Sequence, residues 1–165
     1  MVYNLLSRAV EFDVARICRE NGIGILAYMP LMQGLLTGSY DSADELPAHR
    51  TRTRHFSGRR KGSAHKTEGC ETETFDTVAV LKKTALRLGV PLTSLAMSWC
   101  AASPAVSSVL TGIRSRAQLE GAITAIDYPL TDEVKGELDE ATEGLKTAMG
   151  PSMDIFSGIE ESRSR

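Results

Sequence analysis

Residues 23–40 read IGILAYMPLMQGLLTGSY, a nearly continuous apolar run that Pro30 stops and that Gly34 and Gly38 follow. An apolar run of strand length without alternation is the pattern of a parallel strand covered on both faces. The glycines after it supply backbone that turns freely and lets another group approach closely. The expectation is a strand over Ile23–Met29 leading into a turn at which something is held.

Working outward, Val2 to Leu6 reads as the end of an earlier strand. A helical pattern starts at Arg8, places Val10, Val14, Ile17 and Cys18 on one face, and stops at Asn21-Gly22. On the other side, residues 39–71 show no periodicity and are rich in Gly, Ser, Thr, Arg and His. This long loop is expected to be a functional lid or a solvated segment. Phe75, Val78, Leu81, Ala85 and Leu88 then recur at helical spacing up to Gly89. A second helix follows, with Thr93 as its cap, Leu95, Ala96, Trp99 and Cys100 inward, and Pro104 as its stop. Val106 to Thr111 is a short strand, and Ser115 to Gln118 forms a capping box opening a helix that buries Leu119, Ala122, Ile123 and Ile126. A last helix starts at Thr131 with Asp132 and Glu133 in its first turn, and buries Val134, Leu138, Ala141 and Leu145. Residues 1–150 therefore read as one α/β domain, and 151–165 as a polar, loosely held tail.

Strands alternating with helices argue for a parallel sheet, but only about three strands are visible. A closed (β/α)8 barrel takes ~250 residues, and this chain has 165. Its net charge of −2 gives no general attraction to nucleic acid, and no apolar run approaches the ~18 residues of a membrane helix. Cys18, Cys70 and Cys100 are too scattered for a metal site and read as reduced thiols in a cytoplasmic setting.

Parallel sheets bind ligands beyond the carboxyl ends of their strands. After the first strand stand Tyr28, Met29, Pro30, Leu31 and Gly34; after the second stand Gly112, Arg114, Ser115 and Gln118. Tyr28 could stack on a flat ring or simply be a core aromatic. The second group could hold an anion at a helix N-terminus or simply cap the helix. Arg50 to Lys66 carries seven Lys or Arg residues and no acid, which suits a lid over an anionic ligand better than a nucleic-acid surface, since Phe56 is its one aromatic. His49, His55 and His65 lack ligand spacing and are expected to be solvated. No dinucleotide fingerprint, Walker loop or nucleophile elbow is present.

Taken in order, YNLLSR (3–8), ENGIGILAYMPLMQGLLTGSY (20–40), GVPLTSLAMSWCAASPAV (89–106) and SSVLTGIRSRAQLEGAITA (107–125) resemble the C-terminal half of an aldo-keto reductase. The resemblance is to the long-loop branch with bacterial oxidoreductases and channel-associated β subunits. It implies about strands 6 to 8 of a TIM barrel, with NADP(H) bound in extended form. Tyr28 would underlie the nicotinamide, and Met29, Pro30, Leu31 and Gly34 would follow the ribose and pyrophosphate. Arg50 would close from the loop, and Gly112, Arg114, Ser115 and Gln118 would hold the adenosine 2′-phosphate end. Met29, Ser39 and Gly121-Ala122 depart from polar residues common at those positions. The family's tyrosine, lysine, aspartate and histidine tetrad belongs to the other half of the barrel, so no catalytic residue is assigned in this chain. The implied reaction is carbonyl reduction, with the chain inactive alone. The alternatives are a non-catalytic NADP(H)-binding module completed by a partner chain over exposed sheet edges, or a truncated product.

Overall fold

The structure, a computed structural model, describes residues 1–157. Its elements run α1 Val14–Glu20, β1 Ile25–Tyr28, α2 Glu71–Leu88, α3 Leu92–Ala101, β2 Val106–Leu110, α4 Arg116–Ile126 and α5 Asp132–Met149. β1 and β2 pair in parallel, with Ile25 opposite Val106 and Tyr28 opposite Leu110. The register slips after Ile25, leaving Ser107 as an extra residue in β2. Gly24 meets this bulge: a Cβ there would lie 1.7 Å from Ser107 Oγ. On the other edge of β1, Val2 bridges Tyr28 in parallel. The expected first strand is reduced to that bridge, because the chain folds back at once through reciprocal Asn4 and Ser7 backbone bonds of 3.0 and 3.2 Å.

β1 is shorter than its apolar run, and it is not covered on both faces. Ile25 and Ala27 are buried while Leu26 and Tyr28 are exposed, so the sheet has one covered face and one open face. Under the covered face, α3 is buried over most of its length. It packs against β2, α2 and α4, while α5 packs along α2. Leu5, Leu6, Leu35, Leu36, Leu81, Leu95, Trp99, Leu138 and Leu145 form the fully buried centre.

The helix expected from Arg8 divides into a single 3-10 turn, Ala9–Glu11, and α1. Arg8 turns inward, forks onto Glu11 at 2.7 and 2.9 Å, and donates to the Asp139 carbonyl and Thr142 Oγ1. Burial pushes the Glu11 carboxyl up, but the Arg8 hydrogen bonds and charge outweigh it and hold the group ionised below its usual range. Ile17, expected on the inner face, is exposed. Leu119 and Ile123 of α4 are likewise 45 % and 53 % exposed, Ala122 and Ile126 are half-buried, and Ala125 alone on that helix is buried.

The long loop departs most from expectation. It contains short 3-10 turns at Ala43–Glu45 and Ala48–Arg50, and Thr51, Thr53, Arg54, His55, Phe56 and His65 are buried. Arg54 donates to the carbonyls of Met149, Ser152 and Asp154 at 2.9, 3.0 and 3.3 Å, and Ile155 is buried. Residues 151–157 are thus tied to the loop by satisfied polar groups, which is what lets a polar segment be buried. The remainder of the expected tail, 158–165, lies outside the described residues.

Candidate functional site

The turn after β1 is built on unusual backbone. Met29, Met32 and Gln33 have φ of 61°, 41° and 54°, and Gly34 and Gly38 have 102° and 77°. Glycine adopts such angles freely, whereas the other three residues are strained there. Gly34 N donates to the Leu31 carbonyl at 2.9 Å and Leu36 N to the same oxygen at 3.2 Å, closing the turn. Beyond β2, Ser115 Oγ caps α4 by accepting from Gln118 N at 3.2 Å. Gln118 Oε1 reaches back to Arg114 N at 2.8 Å, one residue earlier than a capping box requires. The helix start is therefore read correctly from sequence, with its return bond displaced.

Between these two strand ends lies an open cleft of about 600 Å³. Met29, Pro30, Leu31 and Gly34 line one side, Gly112, Arg114 and Gln118 the other, and Arg50 stands over it from the long loop. Residues 70 or more positions apart in the chain are thereby brought together. Two expected residues are not in the lining. Tyr28 lies on the open sheet face, 43 % exposed, and Ser115 is occupied as the helix cap.

Arg50 donates to Tyr40 Oη at 3.1 Å, and a Cβ on Gly34 would stand 3.4 Å from its guanidinium. Arg114 is exposed at the opposite wall. His49, Gln33, Thr37, Leu110 and Thr111 also line the cleft, and sequence reasoning had placed none of them there. Their one available signal was adjacency to residues already singled out. The lining includes two arginines and a histidine but no carboxylate, a donor set suited to an anionic ligand such as a phosphate diester.

In the long loop, two histidines expected to be solvated are buried instead. His55 is completely enclosed, its Nε2 2.7 Å from the Leu6 carbonyl and 3.1 Å from Ser7 Oγ, its Nδ1 3.2 Å from Thr53 Oγ1. Burial lowers its pKa to about 4 despite the favourable Leu6 bond. His65 spans Thr67 Oγ1 and the Thr53 carbonyl at 2.8 and 3.0 Å. His55 is a structural brace that fastens the loop to the Leu6–Ser7 segment, and His65 braces the loop against itself. Among the described residues, no three His, Cys, Asp or Glu side chains cluster as a metal site, and no helix is long and apolar enough to cross a membrane.

A sequence model of the Aldo/keto reductase family matches residues 1–143. A probable voltage-gated potassium channel subunit beta from Oryza sativa subsp. japonica is 34 % identical over 144 residues, covering 86 % of this chain and 42 % of the relative. An NADH-specific methylglyoxal reductase from Escherichia coli is 26 % identical over 144 residues, covering 87 % and 41 %. Among solved structures, a glycerol dehydrogenase from Gluconobacter oxydans superposes with a TM-score of 0.65 at 22 % identity, over 84 % of this chain and 40 % of that one. The chain spans about two-fifths of the length of the curated relatives it matches. Its two-stranded parallel sheet, with the Val2 bridge at one edge and helices outside it, is the corresponding part of a TIM barrel.

Proposed function

The chain belongs to the aldo/keto reductase family, and from that premise we propose that it supplies the nucleotide-binding side of an NADP(H)-dependent carbonyl reductase site. The observation that carries this reading is the acid-free cleft at the ends of both parallel strands, flanked by Arg50 and Arg114. Met29, Pro30, Leu31 and Gly112 offer backbone and apolar contact to ribose and pyrophosphate. Arg50 closes on the pyrophosphate, and Arg114 with Gln118 meets the adenosine 2′-phosphate. Tyr28, exposed on the open sheet face beside the cleft, is the surface against which a nicotinamide ring would stack. When bound, the cofactor supplies the hydride that reduces a small aldehyde or ketone. This chain's residues orient it, and we assign the proton donor to none of them.

The expected behaviour of the 165-residue chain is nucleotide binding without turnover. Calorimetric titration with NADPH and NADH tests the first half. Preference for NADPH supports the assigned phosphate contact, equal affinity removes Arg114 from that role, and no binding of either defeats the reading. An assay with a reactive aldehyde tests the second half, and steady NADPH-dependent reduction would refute it.

A second reading, a non-catalytic NADP(H)-responsive module completed by a partner chain, is favoured by one observation. Leu26, Tyr28 and Leu110 expose apolar area on the open sheet face, and Leu119 and Ile123 expose more along α4. Light scattering after size exclusion discriminates: a stable monomer argues against this reading.

A further inference from the structure

The non-glycine residues Met29, Met32 and Gln33 hold positive φ directly after β1. Such backbone persists only where its surroundings over-determine it. The surroundings converge on Asn4, whose side chain is fully buried. Asn4 Nδ2 donates to the Met29 carbonyl at 2.9 Å and lies 3.7 Å from Met32 Sδ, while Oδ1 accepts from Leu6 N at 2.9 Å. The same Met29 carbonyl accepts from Met32 N at 2.9 Å, so one oxygen joins the strained turn to the N-terminal segment. Asn4 itself is pinned by its reciprocal backbone bonds with Ser7.

We infer that Asn4 is the positioning residue of this cleft: through the Met29 carbonyl, its carboxamide holds the left-handed turn that presents Met29, Pro30 and Leu31 to the bound nucleotide. The inference rests on the nucleotide-binding reading above. The geometry demands a side chain that donates and accepts at once. Aspartate has nearly the same shape but no amide donor, and would set a carboxylate oxygen against the Met29 carbonyl.

The test is a double-mutant cycle read by calorimetric titration with NADPH. Asn4→Asp weakens binding roughly tenfold in the natural background, the size of a lost buried hydrogen bond. In a Met29→Gly background the same change costs about threefold or less, because glycine keeps a positive φ without being held. An equal cost in both backgrounds overturns the inference, since a merely structural asparagine would not be relieved by a glycine at 29. If Asn4→Asp fails to fold, Asn4→Ala gives the same comparison. Should the natural chain not bind NADPH, the nucleotide reading falls and amide hydrogen exchange decides the clamp separately. Selective acceleration at Met32, Gly34 and Leu36 in Asn4→Asp supports it, whereas uniform acceleration or none overturns it.

Discussion

The two walls of the cleft are built in opposite ways. The wall after β1 rests on buried groups: Leu35 and Leu36 are enclosed, Met32 is buried, and the turn is joined to Asn4. The wall after β2 rests on exposed ones, with residues 112–121 at the surface and held by the Ser115 and Gln118 capping bonds. Burial makes the first wall's shape a consequence of the core, so it cannot change without a cost to folding. The second wall is a solvent-facing helix start, whose shape depends on local bonds worth little each. A site built this way can change the side chains of its β2 wall without disturbing the fold.

The sharpest way to break this comparison is to truncate one apolar side chain on each side. Leu36→Ala should cost about 2 to 5 kcal/mol in urea unfolding, whereas Leu119→Ala should stay within about 0.5 kcal/mol. Comparable losses would show that α4 is as deeply packed as the β1 turn. Acid probes the buried wall next. His55 has a folded pKa of about 4, below the ~6.5 of an unfolded histidine, so the unfolded chain binds more protons as pH falls. Stability should be fully retained above about pH 6.5 and decline by roughly 2 to 3 kcal/mol by about pH 4.5. Urea midpoints across that window should slope for the natural chain and flatten for His55→Gln; parallel slopes would exclude His55 as the source.

On the exposed wall the effects should be smaller and should separate binding from folding. Arg114→Ala should weaken NADPH about tenfold while leaving NADH nearly unchanged, with no shift in the unfolding midpoint. Equal losses for both nucleotides would remove the 2′-phosphate contact. Ser115→Ala should cost about 1 kcal/mol of stability, the usual worth of an N-cap oxygen. Circular dichroism melts would detect it, and a null result would mean that the Gln118 bond alone holds the helix start.

Much of the architecture was legible in order and approximate bounds. The β1 run, the Gly89 end of α2, the Ser115 and Thr131 caps and the second strand all stand where propensity and periodicity place them. Less legible was which apolar residues lie inside. Ile17, Leu119 and Ile123 have helical spacing, but spacing marks a face and not whether anything covers it. The loop misled for the converse reason. Its His and Arg residues read as solvated by composition, yet His55 and Arg54 are buried because carbonyls from Leu6, Met149 and Ser152 meet them. Asn4 gave no sequence signal either, since its partner is a carbonyl on a methionine in a conformation methionine seldom adopts.

By itself the sequence determined the alternation of strand and helix, the places where helices start and stop, and the family to which the residues belong. These depend on neighbours within a few positions, where side-chain period, glycine freedom and capping chemistry act directly. The tertiary structure alone decided which sheet face is open, which histidines are braces, and that Asn4 holds the turn beneath the cleft. Those outcomes depend on partners distant in the chain, and pairing across such distances is set by packing that no local pattern records.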